Sequence, residues 1–153
     1  MRLHGRVGLI QVLGVAMQES NSRAEVDALV GRFFGAFDNR GKCQPSLADL
    51  VSYFSPQAIV AKHFEGQCAL YSPEEFAAPR VALLAGGELI EFHEWEESNT
   101  TEVLGSLAIR ASRYAKSGTY NGQPYGGTGT KFFQLAKFRS GWQIVALSWI
   151  DDA

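Results

Sequence analysis

The sequence predicts an α+β fold, with N-terminal helices packed in a strongly curved, mostly antiparallel sheet. Two observations carry this. Helical periodicity fills the first half of the chain and vanishes after Gly87, where β-type runs follow one another to the C terminus; helices first and consecutive strands after them argue against alternating βαβ units. The runs at 88–98, 101–117, 128–139 and 142–151 also exceed the usual ~5–6 residues of a strand. Long strands twist and bend, so the sheet should curl around the helices and form a cup.

Each element has its own signal. "SRAE" reads as a capping box, Ser22 with Glu25, after which Val26, Leu29, Val30, Phe33, Phe34 and Phe37 fall on one helical stripe before Asn39-Arg40-Gly41. In "PSLADLVSYF", Ser46 can cap a shorter helix that Pro56 stops, and "AIVAKHF", 58–64, reads as a first strand. Ser72, Pro73 and Glu75 start a third helix, with Pro79 as a kink or interruption and Gly86-Gly87 as the stop. Turns between the long strands are expected at Ser98-Asn99, at "SGTYNGQPYGG" and at Arg139-Ser140-Gly141. In the last strand both alternating series are largely apolar, so both faces need covering, one by helices and the other by a second subunit.

The 153 residues fit one domain at 22–153, with 1–21 as an N-terminal extension. Fourteen basic and sixteen acidic residues give a net charge of −2 without a clustered basic face, which argues against nucleic acid as a partner. The cysteines, Cys43 and Cys68, lack metal or disulfide spacing and read as buried or free thiols in a reducing, cytoplasmic setting. Arg2, Arg6 and the apolar run that follows loosely resemble a secretory signal, but Gln11 interrupts that run. A retained extension, with Met17 as the true start, is the favoured reading. No apolar run approaches the ~20 residues of a membrane span.

The helical order together with "VGRFFGAFDNR" and the closing "GTGTKFFQLAKFRSGWQIVALSWIDD" resembles the NTF2-like superfamily, and within it the SnoaL-like and ketosteroid-isomerase-like members, over about residues 22–152. The resemblance implies a conical α+β barrel with a pocket between helices and concave sheet, usually dimeric through the other side of the sheet. The family spans isomerases, dehydratases, hydrolases and association domains, so it says little about reaction. The acid/base sets of its enzymes do not map residue by residue onto this chain.

Candidate chemistry is sparse. In "FHEWEE", strand alternation puts Glu91, His93, Trp95 and Glu97 on one face and Ile90, Phe92, Glu94 and Glu96 on the other. His93 beside Glu91 is a candidate general base, though a charged strand facing solvent or a partner is the commoner outcome. With no second histidine nearby, a metal is not expected, nor is a cofactor. His63 and Arg110 are weaker catalytic candidates. Arg110, Ser112 and Tyr114 share a face suited to an anionic or carbonyl-bearing ligand, unless Arg110 simply pairs with a glutamate. Phe33, Phe37, Tyr53, Trp95, Tyr114 and Trp149 are the candidates to line a pocket for a small, largely apolar molecule. "YGGTGT" lacks the lysine of a phosphate loop and reads as a hairpin connection. The two functional expectations are therefore a pocket with cofactor-free acid/base chemistry and a non-catalytic dimerisation module.

Overall fold

A computed structural model describes the backbone of residues 4–153 and the side chains of residues 9–153. Arg2 lies outside the described residues, as do the side chains of His4 and Arg6.

The first helix, α1 (His4–Gly35), runs straight through the expected start at Ser22. Ser22 is therefore an interior helical residue and not a cap. The residues before it, "QVLGVAMQESN", contain no proline and several good helix formers, so nothing stops the helix upstream. Residues 9–21 are exposed, and packing begins at Ser22. From there Val26, Leu29, Val30, Phe33, Phe34 and Phe37 form the buried stripe.

After a 3-10 turn, Arg40–Lys42, α2 (Leu47–Ser52) starts where Ser46 Oγ accepts a hydrogen bond from the Asp49 amide at 3.2 Å. It ends earlier than Pro56 because the chain is captured by the sheet: the Ile144 amide donates to Tyr53 O, and β1 (Phe54–Phe64) pairs in parallel with the last strand. Pro56 sits in the register break between Phe54 and Ile59, where its missing N–H costs no ladder bond. Glu65-Gly66, both at positive φ, turn the chain into β2 (Gln67–Tyr71), a strand that the sequence reading lacked. The helix α3 (Pro73–Ala85) has the expected capping box of Ser72 with Glu75 and continues through Pro79.

Four long strands complete the sheet: β3 (Leu89–Leu104), β4 (Leu107–Tyr120), β5 (Gln123–Phe138) and β6 (Gly141–Asp151). The strand order is β2-β1-β6-β5-β4-β3, antiparallel except for β1 with β6. Two expected turns are corrected. Ser98-Asn99 lie inside β3, and the chain turns at Gly105-Ser106, where Gly105 takes φ 58°. "YGGTGT" lies inside β5, and the hairpin turns at Asn121-Gly122, with φ of 47° and 80°. Asn-Gly is the standard sequence for a two-residue turn with both residues at positive φ. The turn thus falls inside the expected segment "SGTYNGQPYGG", whose other residues belong to the two strands.

Bulges bend the sheet into an open cone. One lies between Ile90 and His93, with Glu91 at φ 49°, another between Glu96 and Ser98, and a third where β5 meets β6 at Gln134/Leu135. Each bulge shifts the inward row by one residue. The last strand thus buries Trp142 and Ile144, then Leu147 and Trp149, instead of one uniform series. Phe33 sits at the centre of the aromatic core, its ring 5.2 to 6.4 Å from those of Phe34, Phe37, Phe54, Phe76 and Phe133.

Candidate functional site

Buried Asn39, just after α1, fixes the rim of a cavity. Its side-chain nitrogen donates to Leu84 O (3.0 Å) and Leu89 O (2.7 Å), and its oxygen accepts from the Phe92 amide (2.7 Å). These bonds join the ends of α1 and α3 to the start of β3. Between α3 and the concave sheet lies a cavity of about 260 Å³. Phe37, Phe76, Leu83, Leu84, Phe92 and Trp149 supply its apolar wall.

Charged side chains are interleaved with this apolar wall. Lys62, Arg80, Lys116 and Lys131 face the cavity, together with Glu94, Asp151 and Tyr114. The Tyr114 hydroxyl donates to Asp151 Oδ1, and Lys116 Nζ donates to the same oxygen at 3.2 Å. Lys62 Nζ lies 3.9 Å from Asp151 Oδ2. Burial pushes the Asp151 carboxyl up, but the Tyr114 hydroxyl and the Lys116 ammonium outweigh this and hold it below the ordinary aspartate range. Burial and the adjacent Asp151 raise the Tyr114 phenol, so it remains a donor. The Arg80 guanidinium lies 4.4 Å from the Phe76 ring centre and 5.1 Å from that of Trp149. Lys131, only 5% exposed, projects over the Tyr114 ring at 3.7 Å, and its one carboxylate within 4 Å among the described residues is Glu94, at 3.5 Å. Burial lowers the Lys131 pKa. Glu94 Oε2 is buried without a hydrogen bond. Among the described residues no group of three His, Cys, Asp or Glu is placed to hold a metal ion.

The structure brings Phe37, Tyr114 and Trp149 together at this cavity. Phe33 is consumed by core packing, fully buried among other rings. Tyr53 packs against the core outside the cavity, with the Arg32 guanidinium 6.0 Å from its ring. Trp95 is 38% exposed and stacks on His93, ring centres 4.5 Å apart, on the outward row of β3. His93 therefore does not line the cavity. The bulge at Glu91 turns that carboxylate away from His93, toward the Gly41 amide at 3.4 Å. His63 is exposed on β1, opposite Cys68 of β2. The inward row of β3 is Phe92, Glu94 and Glu96, and the bulge drops Ile90, 47% exposed, from it.

Arg110 is buried on the concave face but below the cavity. Its guanidinium donates to both oxygens of Glu96 (3.0 and 2.6 Å), to Asp27 of α1, and to Thr101 Oγ1 (3.3 Å). Ser112 Oγ donates to Glu96 Oε2 at 2.6 Å. With four of its five N–H donors taken, Arg110 ties α1 to the sheet and does not line the cavity.

The lysines and Glu94 escaped the sequence reading. One signal was available: Lys131 occupies the same row as buried Phe133 and Leu135, and a lysine in an apolar inward row needs a reason.

No family model matches the sequence, and no curated protein matches it. Solved structures do resemble the fold. An NTF2-like protein with a cystatin-like fold from Novosphingobium aromaticivorans superposes with TM-score 0.70 at 16% identity, covering 91% of this chain and 87% of that one. An NTF2-like superfamily protein from Salmonella enterica serovar Typhimurium gives TM-score 0.70 at 17% identity, covering 88% and 93%. An NTF2-like protein of unknown function from Pseudomonas putida gives 0.65 at 13%, covering 86% and 87%. With its helices enclosed by an open, bulged six-stranded sheet, this chain has the NTF2-like, cystatin-like fold.

Proposed function

We propose that the cavity binds a small, largely apolar molecule bearing an anionic or carbonyl oxygen at one end, as a SnoaL-like, small-molecule member of its fold. The observation that carries this is the mixed lining of the cavity. Aromatic and aliphatic side chains share it with Lys62, Arg80, Lys116 and Lys131 against Glu94 and Asp151, so that even with the Lys131 amine neutral the cations outnumber the carboxylates. An apolar enclosure with convergent polar groups is the usual form of a ligand site. Such a lining suits cofactor-free proton transfer of isomerase, dehydratase or hydrolase type, with Glu94 and Asp151 as the proton acceptors. The two exposed free thiols, Cys43 and Cys68, suit a reducing compartment such as the cytoplasm.

The test is a fluorescence titration with 2-naphthoate and, as its uncharged counterpart, 2-naphthalenemethanol. Trp149 is the tryptophan that lines the cavity. Saturable quenching by naphthoate, weaker with the alcohol and abolished in Trp149→Phe, supports the proposal; equal, non-saturating quenching by both would overturn it.

A second reading rests on the convex face, where Ile59, Ile109, Phe132 and Ile150 are 45–59% exposed on neighbouring strands. So much apolar surface on one sheet face suits a homodimer formed through the sheet, in which the chain also acts as an association module.

A further inference from the structure

Resting on the reading of the cavity as a ligand site, we propose that Lys131 is an amine nucleophile that condenses with an aldehyde or ketone bound there. Lys131 stands in a row of buried apolar side chains on β5 and reaches the cavity, where Glu94 Oε2, at 3.5 Å, is its one carboxylate contact within 4 Å among the described residues. A lysine kept only to hold a structural charge would be expected to carry a close, well-directed carboxylate partner. Its nearest one, Glu94, makes only a long ion pair through Oε2, at 3.5 Å, the outer limit of a hydrogen bond. The rings of Tyr114, Trp149 and Phe34, at 3.7, 5.4 and 6.0 Å from Nζ, crowd the amine, which is only 5% exposed.

The charged groups facing this amine come from every neighbouring element. Glu94 on β3 and Asp151 on β6 favour the ammonium, while Lys116 on β4, with Lys62 on β1 and Arg80 on α3 around the same cavity, oppose it. Burial adds the largest push toward the neutral amine. Desolvation and a neighbouring cation are the two general ways in which a lysine becomes nucleophilic near neutral pH.

The step balances without oxidant or reductant. The Nζ lone pair attacks the carbonyl carbon, the C–N bond forms, and the C=O π pair moves to oxygen. One N–H proton passes to that oxygen to give the carbinolamine. The second follows as the C–O bond breaks and water leaves, forming the C=N double bond. Glu94 Oε2, 3.5 Å from the amine, is placed to relay both protons.

The experiment uses the full chain at neutral pH with 2-naphthaldehyde and cyanoborohydride, followed by peptide mapping. The imine is trapped as a secondary amine, and its site is read by mass. An ordinary lysine has a pKa of ~10.4 and is almost wholly ammonium at neutral pH, so trapping at Lys131 should outpace that at exposed lysines by roughly tenfold or more. Lys42 and Lys137, both exposed, are the internal references. Labelling concentrated on Lys131, suppressed by 2-naphthoate and absent in Lys131→Arg, supports the assignment. Labelling that follows exposure and leaves Lys131 unmodified, while naphthoate still quenches Trp149, overturns the nucleophile and leaves the binding site standing. No labelling of Lys131 together with no quenching overturns both.

Discussion

Replacing Glu96 by alanine removes the carboxylate that neutralises Arg110 and leaves the guanidinium, whose side chain is only 4% exposed, with its bond to Asp27 and a longer one to Thr101. Glu96 accepts two hydrogen bonds from Arg110 and one from Ser112. At about 1.5–3 kcal/mol for each bond to a charged group, the three set an upper bound of roughly 4.5–9 kcal/mol. Asp27 remains and water can enter the vacated space, so the expected loss is about 3–5 kcal/mol, the range for breaking a buried pair by removing one member. Urea unfolding at fixed protein concentration measures it: with a slope of ~1–3 kcal/mol/M, the midpoint should fall by more than ~1 M with little change in slope. The double variant Glu96→Leu, Arg110→Met should recover most of that loss, because it removes both charges and refills their volume. A loss below ~1 kcal/mol for Glu96→Ala, or a double variant as unstable as the single, would refute the view that the pair is buried and mutually dependent.

Three further outcomes follow from the same geometry. The folded-state pKa of Tyr114 is raised, so the phenol stays protonated while the unfolded chain ionises; stability should be full below ~10 and decline as pH rises above it. Tyr114→Phe should lose that alkaline decline, as followed by unfolding midpoints across the range. An alanine Cβ at Gly129 would stand 2.5 Å from the Ile150 carbonyl oxygen and from the Tyr114 hydroxyl, so Gly129→Ala should destabilise by about 1–3 kcal/mol in thermal unfolding. Phe132, 59% exposed on the convex face, should matter for assembly, so a dimer measured by sedimentation should dissociate in Phe132→Glu while circular dichroism is retained.

The cone was legible because its causes are local and repeated. The stripe from Val26 to Phe37, the capping box of Ser72 with Glu75 and the β-type runs after Gly87 each act over a few residues, and all agree with one fold. Bulges were not legible. Strict alternation groups Glu91 with His93 and Ile90 with Phe92, but the break between Ile90 and His93 buries Leu89 and Phe92 and leaves Ile90 outside. The same limit hid the cavity. Glu94, Lys116 and Lys131 come from three strands, and their convergence depends on register and curvature that no single stretch of sequence encodes. His93 and Trp95 looked chemical because they are adjacent in sequence, whereas the structure stacks them on each other on the outward row.

The central claim is that the polar-ended cavity, and not the convex face, is where a small molecule binds. Chemical-shift mapping with 2-naphthoate on the isotopically labelled protein tests it most directly. The account predicts saturable shifts centred on Phe37, Phe76, Tyr125 and Trp149, with the Lys131 side-chain resonances moving in step. Shifts confined to Ile59, Ile109 and Phe132 on the outer face, with the cavity residues unmoved, would contradict it.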